Sequence, residues 1–149
     1  MKFQNYIRFY KNKKILITGN TGFVGTYLSL SLKLMNSTIL GYSLKKKDHK
    51  YISNTLDYKK KIRTIFDDIK NIDKHETSIK KFNPEILIHL ASQPLVSESY
   101  IYTKKTFETN ILGTVKLFEL VKKLKNLKNI LIFTSDKVYK NINKDILNE

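Results

Sequence analysis

The chain of 149 residues contains no cysteine, which excludes a disulfide framework, a thiolate zinc site and a cysteine nucleophile. Its three histidines, His49, His75 and His89, are scattered, and no Asp/Glu cluster stands at ligand spacing, so no metal is expected. No apolar run reaches the roughly 18–20 residues that a membrane span needs. The opening MKFQNYIRFYKNKK has no apolar h-region of a secretory signal. A soluble, cytoplasmic protein with no membrane partner is therefore the expectation. Arginine is almost missing too: of 28 basic residues only Arg8 and Arg63 are arginine, and the lysines are spread over the whole length. Proteins that read nucleic-acid sequence lean on the arginine fork. The net charge of +15 is accordingly assigned to a compositional bias toward Lys, Asn and Ile, with solvated lysine faces that attract polyanions only non-specifically. No specific nucleic-acid partner is expected.

What the chain does have is alternation. Lys14–Thr18 (KILIT) is a short apolar, β-branched run and predicts a buried strand. Phe23–Met35 carries Phe23, Val24, Tyr27, Leu28 and further apolar residues at helical spacing. Ser37–Tyr42 predicts a second strand, Lys45–Lys61 a lysine-rich loop with room for one turn, and Arg63–Phe66 a third strand. Ile72–Phe82 predicts a polar helix stopped near Pro84. Glu85–Leu90 is the fourth strand, Thr106–Leu124 a long amphipathic helix, and Asn129–Thr134 the fifth strand. Ser135–Glu149 shows no strong pattern. Continuous apolar strands separated by helices predict a parallel sheet covered on both faces. Right-handed crossovers then give a doubly wound α/β domain.

Glycine occurs five times, and three of the five fall in Gly19-Asn20-Thr21-Gly22-Phe23-Val24-Gly25. A strand precedes this loop and an amphipathic helix follows it, the setting a phosphate-binding loop requires. Gly19 permits the tight turn, Gly22 lets backbone approach a pyrophosphate, and Gly25 lets the helix pack closely on the sheet. The pyrophosphate would rest on the free amides of the helix N-terminus. A plain glycine turn is the alternative, disfavoured by the flanking elements.

The remaining contacts leave alternatives open. An acid about 20 residues past the loop would hold a ribose 2′-hydroxyl, but strand two ends Gly41-Tyr42-Ser43-Leu44 and the next acid is Asp48. Lys45-Lys46-Lys47 can neutralise a 2′-phosphate, favouring NADP, or form a solvated loop. Asp68 after strand three can accept a hydrogen bond from an adenine amino group or cap a helix. His89 fits a packed core histidine or a catalytic one. Asn110 stands mid-helix, where asparagine is otherwise unfavourable, and fits a buried hydrogen-bonding residue near the site.

Longer stretches then coincide. These are Phe9-Tyr10, Thr18–Gly25, Gly41–Leu44, His89-Leu90-Ala91-Ser92-Gln93-Pro94-Leu95-Val96, Ser99-Tyr100, Thr106–Val115, and Thr134-Ser135-Asp136-Lys137-Val138-Tyr139. Together they resemble the CDP-glucose 4,6-dehydratases, within the extended short-chain dehydrogenase/reductase family. The Asp136-Lys137 pair is the most specific part. Val24, Tyr27 and Ser97 stand where that family usually carries Lys, Trp and Arg.

The resemblance implies an NAD-binding Rossmann fold. It places Gly19, Asn20, Thr21, Gly22, Phe23, Val24, Gly25, Ser43, Asp68, Ile69, Leu90, Ala91, Ser92 and Asn110 around the cofactor NAD. It implies a nucleotide-sugar substrate, CDP-glucose, dehydrated to a 4-keto-6-deoxy sugar by internal hydride transfer. In that reaction Ser135 would hydrogen-bond the C4 oxygen, Asp136 would protonate the departing C6 hydroxyl, and Lys137 would assist at C5. The family's Tyr-x-x-x-Lys, which carries the base, follows the Ser-Asp-Lys segment. Here Tyr10/Lys14, Tyr42/Lys46 and Tyr100/Lys104 match the spacing but precede the fifth strand. The expectation is an N-terminal NAD-binding part over residues 1–149, its sheet truncated after about five strands. It would lack the sugar-nucleotide domain, be inactive alone, and expose apolar surface that favours a homo-oligomer. A non-catalytic NAD(P)-binding module, or another epimerase or dehydratase of the family, is the alternative.

Overall fold

The computed structural model describes residues 3–45, 53 and 56–135. Helix α1 (Phe3–Tyr10) leads into β1 (Lys14–Thr18), followed by α2 (Phe23–Leu34), β2 (Thr38–Ser43), α3 (Leu56–Lys61) and β3 (Arg63–Phe66). A 3₁₀ segment (Ile69–His75) precedes α4 (Glu76–Phe82) and β4 (Ile86–His89). Then come α5 (Val96–Ile101), α6 (Thr103–Phe107), a π-turn (Glu108–Leu112), α7 (Gly113–Val121) and β5 (Asn129–Ile132). All four strand pairings are parallel, in the order β3-β2-β1-β4-β5. The order reverses between β1 and β4, the switch point at which doubly wound sheets bind ligands.

Side chains alternate across the pleat. Leu16, Leu40, Tyr42 and Leu87 join Ile69, Ile72, Ile79, Leu117 and Leu120 in one core layer. Ile15, Ile17, Ile39, Ile86 and Ile88 join Leu32, Tyr58 and Ile62 in the other. Each layer is thus a sheet face covered by helix, as the continuous apolar strands require. Asparagine takes over turns that glycine would otherwise make: Asn12, Asn36 and Asn83 all have positive φ. Asn36 and Asn83 do so just after α2 and at the end of α4, where a short polar side chain tolerates the left-handed conformation.

Two differences from the sequence expectations have physical causes. The lysine-rich loop ends in α3, because Tyr58 and Ile62, one helical turn apart, are both buried. The helix expected over Ile72–Phe82 starts earlier, as a 3₁₀ turn capped by Asp68, whose carboxylate accepts from the Lys70 amide at 3.0 Å. Strand β5 is exposed along its whole length, in line with the apolar surface the sequence leads one to expect at this side of the sheet. Ile130, Leu131, Ile132 and Phe133 present apolar side chains to solvent. Helices α1 and α5 carry no pattern long enough to have been legible.

Candidate cofactor site

The site grows out of the last residue of β1. Gly19 has φ +74, and a Cβ there would lie 2.8 Å from the Leu90 carbonyl carbon and the Ala91 nitrogen. Only glycine permits both the left-handed turn and the approach of the β1 end to the β4 end. A Cβ on Gly25 would run into the Gly19 carbonyl oxygen and lie 2.8 Å from Asn20 Cα. The glycine therefore seats α2 on the loop's own turn rather than on the sheet as such. At Gly22 the only near neighbour of a Cβ among the described residues would be the Gly19 carbonyl oxygen, at 3.3 Å. Gly22 is the N-cap of α2 and offers no side chain to cap it. The amides of Phe23 and Val24, in the first turn, have no partner within the helix. A bare N-cap, space beyond it that no other described residue fills, and first-turn amides without a helix partner at a positive helix end form a cradle for a phosphate.

Two predicted residues of this loop turn inward instead. The Asn20 amide nitrogen donates to the Tyr58 hydroxyl and to Thr64 Oγ1, both at 2.9 Å, and the side chain is fully buried. A Cβ on Gly41 would collide with it, so β2 carries glycine to make room for Asn20. Thr21 Oγ1 and Ser43 Oγ lie 2.6 Å apart, both buried, and Thr21 also donates to the Leu44 carbonyl. Asn20, Thr21 and Ser43 thus hold the loop's shape through their side chains and leave only backbone to a ligand. Phe23 and Val24 are exposed on the first turn of α2.

On the β3 side, Tyr42 donates its hydroxyl to the Asp68 carbonyl oxygen at 2.8 Å. Burial, reinforced by Asp67, Asp68 and Asp73, raises its pKa, the opposite of what a catalytic phenolate needs. That removes Tyr42 as a base. Tyr10 lies by the start of β1, away from the glycine loop, and Tyr100 is 83% exposed. Asp67 accepts from Asn71 Nδ2 at 2.9 Å and pairs with His75 Nε2 at 2.8 Å, which hold its carboxyl down at about 2. The Ile69 side chain is buried in the core, and a Cβ on Gly113 would strike it. Only its backbone is left for the role expected of it. Lys46, Lys47 and Asp48 lie outside the described residues.

Beyond β4 a cleft of about 560 Å³ opens, lined by His89, Ala91, Ser92, Asn110, Thr134 and Ser135 among others. Of the three expected catalytic residues, Ser135 is at this cleft, and Asp136 and Lys137 lie outside the described residues. Asn110 sits in the π-turn, a feature frequent at functional sites. Its Oδ1 accepts from the Gln93 amide at 2.8 Å and its Nδ2 donates to the Gln93 carbonyl at 3.1 Å, clamping the β4–α5 loop to the helix. His89 is buried between β1 and α7, with Nδ1 2.6 Å from Thr18 Oγ1 and Nε2 3.1 Å from Thr114 Oγ1. The packed-histidine alternative therefore holds. Thr18, Gln93 and Thr114 carry this framework; they stand in the stretches that carry the family resemblance, but the sequence assigns them no role. The local signal for one is the spacing of Asn110 and Thr114, one helical turn apart.

An NAD molecule fits what is present: a glycine cradle at a helix N-terminus, at the switch point, beside a cleft that continues over the end of β4. A family model for GDP-mannose 4,6 dehydratase matches residues 16–149. A CDP-glucose 4,6-dehydratase of Salmonella typhimurium is 38% identical over 133 residues, 89% of this chain and 37% of that protein. The chain spans about a third of the length of the curated relatives it matches. Among solved structures, an epimerase from Methanothermobacter thermautotrophicus superposes with a TM-score of 0.82 at 23% identity, covering 97% of this chain and 42% of that one. A dTDP-glucose 4,6-dehydratase from Bacillus anthracis in complex with NAD gives a TM-score of 0.71 at 22% identity, covering 92% of this chain and 42% of that one.

Proposed function

The chain belongs to the GDP-mannose 4,6 dehydratase family, and from that premise we propose that it is the NAD-binding part of a nucleotide-sugar 4,6-dehydratase, a lyase acting on CDP-glucose. The observation that carries the cofactor is the N-cap at Gly22, where no side chain caps the first turn and where, among the described residues, a Cβ would meet only the Gly19 carbonyl oxygen. Phe23 and Val24 hold the pyrophosphate through their first-turn amides, while the Gly22 amide donates to the Gly19 carbonyl oxygen at 3.0 Å and closes the loop. Asn20, Thr21 and Ser43 keep that loop in shape from beneath. Asp68 and the Ile69 backbone border the adenine, and Leu90, Ala91 and Ser92 line the path toward the cleft. NAD, when bound, supplies a reversible hydride acceptor.

The sugar is assigned to the cleft beyond β4. Ser135 hydrogen-bonds its C4 hydroxyl there, and Asp136 and Lys137 serve the elimination across C5 and C6. The choice of CDP-glucose is supported by the 38% identity to a CDP-glucose 4,6-dehydratase and by the Asp136-Lys137 pair. A nucleotide-sugar epimerase is the second reading, favoured by the structural match to an epimerase and by Val24 in place of the family's lysine. Calorimetric titration of the chain with NAD tests the cofactor assignment. One-to-one binding that Gly22→Asp abolishes is expected, and equal binding by both proteins overturns it.

A further inference from the structure

The hydrogen bonds around His89 have a determinate direction. Thr114 Oγ1 donates to the Asn110 carbonyl oxygen at 2.7 Å, and a carbonyl can only accept. The Thr114 hydroxyl proton is thereby used, so its oxygen accepts from His89 Nε2–H. In a neutral ring Nδ1 is then the acceptor, and it takes the Thr18 hydroxyl proton at 2.6 Å. Thr18 Oγ1 in turn accepts from the Ala91 amide at 3.2 Å. One chain of donors and acceptors runs from the β4–α5 loop through the end of β1 and the His89 ring to the π-turn. There Asn110 returns to the same loop at Gln93. Every proton is placed only while the ring is neutral with hydrogen on Nε2.

We propose that His89 is a positioning residue whose neutral Nε2–H form locks the Ala91–Gln93 backbone against the glycine loop, so that cofactor affinity depends on its proton. Because Gly19 packs directly on Leu90 and Ala91, a shift of that backbone moves the floor of the cradle. Protonating Nδ1 leaves the Thr18 hydroxyl proton without its acceptor and puts a charge on a ring that is 4% exposed. Among the described residues the groups beside the ring are Thr18 from β1, Thr114 from α7 and, across the ladder, Ile132 of β5. Among the described residues no charged side chain acts on it, and burial alone lowers its pKa below the usual histidine value. The sign follows: the competent form is complete near neutrality and is lost as pH falls through that lowered value.

The inference rests on the cofactor assignment above only for its affinity half, so two measurements are paired. The first uses the chain without cofactor. Long-range proton–nitrogen spectra of the imidazoles should show His89 neutral with hydrogen on Nε2 at pH 6.5. The Ala91 and Gln93 amides should be protected there and lose protection as His89 titrates. A Nδ1–H tautomer, a ring already protonated, or protection indifferent to that titration overturns the proposal. The second is NAD affinity from pH 8 down to the lowest pH at which the chain stays folded. It should weaken by about tenfold for each pH unit below the His89 midpoint, as the competent fraction falls. His89→Gln, which can still donate to Thr114 but does not titrate, should remove that midpoint. Retention of the same midpoint in His89→Gln overturns the proposal. Absence of NAD binding at pH 8 would instead sink the cofactor assignment and leave the first measurement to decide on His89.

Discussion

Replacing Gly22 with aspartate should separate folding from cofactor binding, because the two respond with opposite sign. Gly22 has φ −71 and ψ 175, an extended conformation that any residue adopts, and among the described residues a new Cβ meets only the Gly19 carbonyl oxygen, at 3.3 Å. Aspartate is among the best N-cap residues and exceeds glycine there by only a few tenths of a kcal/mol. A negative charge at the helix N-terminus adds about 0.3–1 kcal/mol. Relief of the 3.3 Å contact offsets part of this, so stability should be unchanged or slightly raised. Binding goes the other way. The new carboxylate would occupy the first-turn amides and face the pyrophosphate. One pair of unit charges about 5 Å apart at an effective dielectric of about 20 repels by roughly 3 kcal/mol, a loss of at least about 100-fold in affinity. Urea melts and NAD calorimetry on the same preparations read the two effects. Unfolding of the variant would refute the N-cap geometry, and undiminished NAD affinity would refute the cradle.

Other outcomes follow from neighbouring features. Gly25→Ala, whose Cβ meets backbone on every close side, should destabilise by about 1–3 kcal/mol despite the better helix propensity of alanine. A thermal melt equal to wild type would contradict that packing. NAD should bind more tightly than NADP in a competition titration; the reverse would make the lysines from Lys45 onward a 2′-phosphate site. Asp67 is held at about 2 by Asn71 and His75, below its unfolded value of about 3.9. The stability it contributes is present above pH 4 and lost as pH falls toward 2. In acid titrations Asp67→Asn should therefore lose less stability over that interval than wild type, and an identical loss would remove the pairing. Incubated with NAD and CDP-glucose, the 149 residues alone should give no 4-keto-6-deoxy product, since no Tyr-x-x-x-Lys follows Ser135 in them. Product formed free of contaminating enzyme would point to Tyr100 as the base.

The strand–glycine loop–helix unit was legible because its determinants are local. KILIT, three glycines at fixed spacing and the amphipathic start of α2 lie within about twenty consecutive residues. The parallel sheet was legible for a similar reason, since strands buried on both faces must be continuously apolar. The site's supporting contacts were not, because they join residues far apart in sequence. Asn20 reaches Tyr58 and Thr64, His89 reaches back to Thr18, and Asn110 reaches Gln93. Asn20 and Thr21 lie in the glycine loop and Ser43 at the end of β2, but which way their side chains face depends on where β2 and α3 pack. Helix α3 was obscured by lysines that solvate its outer side, although Tyr58 and Ile62 at i, i+4 were there to be read. Asp68 caps the 3₁₀ turn through the Lys70 amide, a role compatible with the adenine contact proposed for it.

Whether Gly19–Gly25 cradles the cofactor's phosphates is read from backbone amide spectra of the chain titrated with NAD. Saturable one-to-one shifts are expected, centred on the Phe23 and Val24 amides, with a second group at Leu90, Ala91 and Ser92. Shifts confined to exposed lysines, or no shift in the glycine loop at saturating NAD, would contradict that cradle.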